Sequence, residues 1–68
     1  MTGTMDLTQG IIGAEDTLKK LYGKEGYKLL VEKMKEKTDN DPQVQMAIFN
    51  DESMTAEIRL VALATVGE

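Results

Sequence analysis

The sequence predicts an all-α fold, a small bundle of three to four short helices. Two observations support this class. Apolar residues recur at helical spacing through the first half of the chain, and helix-start signals such as Asp41 followed by Pro42 precede the apolar runs of the second half. With 68 residues and neither Cys nor His, we expect one small domain, residues 1–68. Its stability must come from apolar packing, because no disulfide or Cys/His metal site is available.

The first helix is expected to follow a flexible arm, residues 1–5. Asp6 and Gln9 resemble a capping box, which places the helix start near Leu7. Apolar residues then alternate at spacings of four and three, and Gly23 is expected to end the helix. Gly10 and Gly13 have two interpretations: they thin the helix so that another backbone approaches, or they form a turn before a helix that begins only at Ala14. The apolar seam consists of Leu7, Ile11, Ala14, Leu18 and Leu21.

The second helix is predicted from Lys24 or Gly26 to Lys37. One face is apolar at the i, i+3, i+4, i+7 spacing of a core stripe. Leu29 falls opposite that stripe, so we expect it to be exposed and to contact a partner. A band of lysines lies between the stripe and the glutamates of the helix, which makes it a possible contact for a polyanion. The stripe consists of Tyr27, Leu30, Val31 and Met34, and the band of Lys24, Lys28 and Lys35.

The last third of the chain is predicted to form two helices. Asp41 caps the first with Pro42 at its first position, and this helix runs to Phe49. Ser53 or Thr55 caps the second, which Gly67 ends. An α+β fold is the alternative, because residues 43–48 alternate and residues 56–66 are apolar on both faces. A hairpin closed around residues 50–53 would then pack on two helices. In the helical interpretation the inward residues of the third helix are Val44, Ala47, Ile48 and Phe49.

Residues 55–66, TAEIRLVALATV, form the central element of the predicted fold because their helix has no polar face. Three short amphipathic helices are expected to leave part of it uncovered, so we place Leu60 and Leu63 at a subunit or partner interface. This predicts a non-enzymatic interaction protein: a homo-oligomer, the binder of a larger protein, or both. Regulator, inhibitor and adaptor are the roles open to so small an acidic chain.

The charge distribution supports one alternative function. The net charge is −4, yet seven of the eight basic residues are lysines between Lys19 and Lys37. A small nucleic-acid-binding regulator would use this segment, through Lys24, Lys28 and Lys35. The chain has only three aromatic residues and one arginine, which is a poor supply for base stacking or base reading, so we expect no nucleic acid.

Catalytic chemistry is not expected. Without His or Cys, and with Ser53 as the only serine, no nucleophile–base pair can be assembled. The acids at 39–41 lack the spacing of a calcium loop, and Gly23 to Gly26 lacks that of a phosphate loop. We therefore expect no catalytic residue, cofactor or metal. The sequence has no apolar run long enough to span a membrane, and the lack of cysteine fits a cytoplasmic protein.

Residues 46–68 resemble one helical hairpin of a HEAT-type repeat, through the acids of the turn and the run EIRLVALATVG. The resemblance covers a third of the chain and includes no diagnostic motif. Because a solenoid needs several repeats, it implies nothing about function.

Overall fold

The computed structural model describes residues 7–68. They form three helices: α1 spans Leu7–Thr38, α2 Pro42–Phe49 and α3 Ala56–Val66, and no strand occurs among them. The all-α class is therefore confirmed, and the alternative with a hairpin in residues 43–66 is wrong. The predicted arm at residues 1–5 and the capping residue Asp6 lie outside the described residues.

Side-chain caps explain why the last third of the chain is helical. The Asp41 side chain accepts a hydrogen bond of 2.9 Å from the backbone N–H of Gln43, and Pro42 occupies the first turn of α2. Thr55 likewise accepts from the N–H of Ile58 at 3.3 Å. Each cap satisfies a backbone donor that a helix start leaves without a partner. Of the two caps predicted for α3, Thr55 is therefore the residue used, and Gly67 follows its last turn as predicted.

Helix α1 is sharply bent at Gly23, whose backbone angles are φ 77° and ψ 172°. Only glycine adopts this region readily. A straight helix of 32 residues would be about 48 Å long, whereas the longest extent of the molecule is 37 Å. We call residues 7–22 the first arm of α1 and residues 24–38 the second arm. They correspond to the two helices predicted for the first half of the chain.

Gly10 and Gly13 lie inside the first arm, so the helix start at Ala14 is wrong. The idea that they thin the helix for a close backbone approach also finds no support. A Cβ at Gly10 would meet the Leu63 side chain at 3.7 Å, an ordinary contact, and a Cβ at Gly13 would meet nothing within 4 Å.

The core lies where both arms of α1 and helix α2 pack against α3. Five consecutive residues of α3, from Val61 to Thr65, are buried. The C-terminal half of α3 is therefore covered on every side by its own chain. From α1 the core receives Ala14, Leu18, Tyr27, Val31 and Met34, as the two apolar stripes predicted, although Leu21 at the bend is 65% exposed.

Helix α2 presents only part of its predicted face to the core. Ile48 and Phe49 pack against the core as predicted, but Val44 and Ala47 do not. Val44 is 42% exposed and Ala47 is exposed as well, while Gln45 is only 1% exposed. The amide of Gln45 donates to the Thr38 hydroxyl at 3.0 Å, and this hydroxyl donates to the Met34 carbonyl at 2.7 Å. Gln45 is tolerated in the interior because its polar group has a partner there.

Candidate functional site

An apolar groove runs between the second arm of α1 and the N-terminal half of α3. We call it the α1–α3 groove; its volume is about 210 Å³. The four residues from α1 recur at i, i+3, i+4 and i+7, so they lie on one face and extend for about 10 Å along the helix. The groove is lined by Leu30, Lys33, Met34 and Lys37 of α1 and by Glu57, Ile58 and Val61 of α3.

The floor of the groove is apolar and its rim is charged. Met34 and Val61 are buried beneath it, while Ile58 is 36% exposed. Lys33 and Lys37 stand one turn apart on the α1 side, and within residues 7–68 neither ammonium group takes part in an ion pair. Small-molecule pockets typically enclose about 300–1,000 Å³, which is more than this groove offers. Its size and composition suit a few side chains of another protein.

Leu29 is exposed beside the α1–α3 groove. Its side chain is 59% exposed, as the sequence predicts. It lies four residues before Lys33 and therefore on the same side of α1, one turn away. Leu29 does not line the groove, and Lys33 lies between it and the apolar floor.

The other two residues predicted at an interface lie elsewhere. Leu63 is 5% exposed and belongs to the core, so the expectation that it faces an uncovered side of α3 is wrong. It falls in the half of α3 that both arms of α1 enclose. Leu60 is half-buried against the core and lines a shallow depression with Phe49, Ala56 and Arg59, away from the α1–α3 groove.

None of the seven described residues that line the groove was predicted at a functional site, and three of them, Lys33, Lys37 and Ile58, had no predicted role at all. A signal for the lysines was present, since together with Leu30 and Met34 they complete an i, i+3, i+4, i+7 stripe along the edge of the predicted core face. Ile58 carries no comparable signal, because α3 is apolar in every direction.

Two of the predicted lysines, Lys24 and Lys28, lie together at the bend in α1. With Lys19 they line a second cavity of about 490 Å³, whereas Lys35 does not line it. Glu25 and Glu68 line the same cavity. Glu25 directly follows Lys24 and lies three residues before Lys28, so its carboxylate lies among the ammonium groups and weakens their attraction for a polyanion.

A hydrogen-bonded cluster around Tyr27 borders this second cavity. The Tyr27 hydroxyl donates to Glu68 Oε2 at 2.5 Å and lies 3.2 Å from Glu15 Oε2. Lys19 Nζ lies 5.1 Å from the centroid of the Tyr27 ring, within reach of a cation–π interaction. The cluster joins both arms of α1 to the chain just after α3, so its evident role is structural.

The pKa values in the Tyr27 cluster follow from burial and from the shared hydroxyl. Burial first, and then the hydrogen bond with Glu68, raise the pKa of Tyr27, which keeps its hydroxyl protonated as a donor. Burial and the neighbouring Glu68 also raise the pKa of Glu15. The hydrogen bond from Tyr27 lowers the pKa of Glu68.

Within residues 7–68, no group of three or more Asp or Glu side chains is arranged to hold a metal ion. None of the helices in this part of the chain is long and apolar enough to cross a membrane. Comparisons of the chain with protein families, with curated proteins and with solved structures give no match. The chain's own residues are therefore the basis for any functional inference.

Proposed function

We propose that this chain is a non-enzymatic protein-interaction module that binds a segment of a larger protein in the α1–α3 groove. The observation that carries the proposal is the groove itself, which has an apolar floor and an exposed Ile58 in its α3 wall. Apolar surface gathered in a concave site is typical of protein recognition. Binding of this kind fits a regulator, an inhibitor or an adaptor.

A second copy of the chain is the competing occupant of the groove. The sequence predicts a homo-oligomer because the other helices are expected to leave part of α3 uncovered. Residues 61–65 are instead buried by α1 and α2. The face of α3 that a second copy was expected to cover is therefore already covered by the chain itself, which favours a different partner.

Nucleic-acid binding through the lysines is less well supported. Lys24 and Lys28 share their cavity with Glu25 and Glu68, and a carboxylate beside a phosphate would oppose binding. Lys35 does not line the cavity, and after the hydrogen bond from Tyr27 its charge helps to lower the pKa of Glu68 there. To bind a polyanion through Lys24, Lys28 and Lys35 together, the chain would have to move Glu25 and Glu68 away from the bound phosphates.

Site-specific photo-crosslinking in the cells that make the protein tests the proposed function. A photoreactive amino acid at position 58 samples the groove. The same amino acid at position 44 is the matched control, because Val44 is similarly exposed, at 42% against 36% for Ile58, and does not line the groove. We expect position 58 to capture a discrete protein, identified by mass spectrometry, that position 44 does not capture.

Three outcomes would contradict the proposed function. Equal capture at both positions would mean that contact is not confined to the groove. Capture of a second copy at position 58 would make the chain a homo-oligomer. Capture of no protein at position 58 would remove the proposal.

A further inference from the structure

We propose that the α1–α3 groove binds an acidic amphipathic helix of the partner, seated for about two turns with its apolar face on the groove floor. Carboxylates on one flank of that helix pair with Lys33 and Lys37. This inference rests on the proposed function, since it names the chemical class of the segment that the groove would recognise.

The groove favours a helix over the other shapes in which peptides are recognised. Addition of a strand needs the free edge of a sheet, and residues 7–68 contain no strand. Proline-rich segments dock into grooves with aromatic walls, and phosphorylated motifs bind to clusters of arginines. No aromatic residue or arginine lines the groove. A groove between two helices with an apolar floor instead matches the mode in which an amphipathic helix inserts its apolar face.

The length of the groove sets the size of the contact. Its α1 wall runs from Leu30 to Lys37, about 10 Å along the helix. A bound helix of about two turns covers that distance with apolar residues at i, i+3 or i+4, and i+7. The cavity of about 210 Å³ has room for a few side chains, which agrees with so short a contact.

The charges on the rim select an acidic partner. Lys33 and Lys37 stand on the α1 wall, and among residues 7–68 Glu57 is the only carboxylate that lines the groove. Carboxylates on the flank of the ligand that faces α1 would therefore pair with two lysines. The flank that faces α3 meets Glu57, so a basic residue is favoured there.

The same charges disfavour a second copy as the occupant. In a twofold dimer through this groove, each copy would present Lys33 and Lys37 to the same patch of the other copy. The two joined surfaces would together carry four ammonium groups and only two Glu57 carboxylates. A partner with the opposite charge avoids this repulsion.

Designed helical peptides test the proposal. One peptide carries the apolar face with glutamates on one flank, and a second carries the same face with lysines in place of the glutamates. Binding is followed from the amide chemical shifts of the ¹⁵N-labelled protein. We expect the glutamate peptide to shift residues that line the groove, and to bind about tenfold more weakly to the double variant Lys33→Glu/Lys37→Glu, which is about 1.4 kcal/mol.

The double variant Lys24→Glu/Lys28→Glu provides the matched control. It reverses two charges at the same spacing on the opposite flank of α1, and it should bind the glutamate peptide nearly as well as the original protein. The lysine peptide should prefer Lys33→Glu/Lys37→Glu over the original chain, since the charges are then exchanged between the partners. Circular dichroism of each variant verifies that the helices are retained.

The outcomes separate this inference from the proposed function. If both peptides shift the groove residues and bind with equal affinity, the groove takes apolar helices without regard to charge, and the inference fails while the proposed function stands. If neither peptide shifts the groove although position 58 captures a partner, the segment bound is not an acidic helix. If Lys24→Glu/Lys28→Glu weakens binding of the glutamate peptide as much as Lys33→Glu/Lys37→Glu does, the peptide is attracted by the overall positive charge of α1. The groove is then not its binding site.

Discussion

At the residue scale, the least expected feature is a fully buried glutamine between α2 and the end of α1. Gln45 is 1% exposed, and its amide donates to the hydroxyl of Thr38, also buried. The Thr38 hydroxyl in turn donates to a carbonyl of its own helix. This chain of two hydrogen bonds fixes α2 against the end of α1, so the polar pair determines which face of α2 turns inward.

We predict that Gln45→Ala lowers the free energy of unfolding by about 2–3 kcal/mol. The substitution removes one buried hydrogen bond and leaves a cavity where the side chain packed. Gln43→Ala is the matched control, because Gln43 is exposed in the same helix, and it should change stability by less than about 0.5 kcal/mol. Urea unfolding followed by circular dichroism measures both values, and similar losses for the two variants would contradict the packing described for α2.

At the element scale, Gly23 determines the shape of α1. Its φ of 77° lets the second arm turn back, so that the Tyr27 hydroxyl comes within 3.2 Å of Glu15. In a straight helix these two residues would be about 18 Å apart along the axis. The bend brings both arms against α3, and it opens the α1–α3 groove on the second arm.

Gly23→Ala should destabilise the fold by about 1–3 kcal/mol, because alanine is strained at this φ. No atom lies within 4 Å of the site of the added Cβ, so the effect comes from the backbone. Gly13→Ala is the control with the opposite expected sign. It lies in a helix with open space around it and should stabilise by about 0.5–1 kcal/mol. Thermal unfolding compares the two, and a stabilised Gly23→Ala variant would mean that α1 does not bend as described.

At the scale of the whole molecule, the local features were predictable from sequence and the arrangement of the helices was not. Asp41 and Thr55 identify their helix starts because a cap acts over three residues. Gly23 marks the end of a helix, yet the sequence gives no direction for the arm that follows. Leu63 was placed at a surface for this reason, since its burial depends on where the two arms pass α3.

The candidate site likewise combines features that one helix predicts with features that depend on how the helices pack. Leu30 and Met34 were predicted on the core stripe, and Leu29 was predicted to be exposed on the opposite side of the helix. The groove itself exists only because α3 lies along the flank of the second arm, which places Ile58 next to Lys33 and Lys37. Long-range packing of this kind leaves no pattern in either helix alone.

The central claim is that one chain completes its own core and leaves the α1–α3 groove open for a different protein. Sedimentation equilibrium at tens of micromolar tests it most directly, on the original chain and on Ile58→Glu. We predict the mass of one chain, 7.5 kDa, for both. A mass of two chains that falls to one chain in Ile58→Glu would contradict the claim, because the occupant of the groove would then be a second copy.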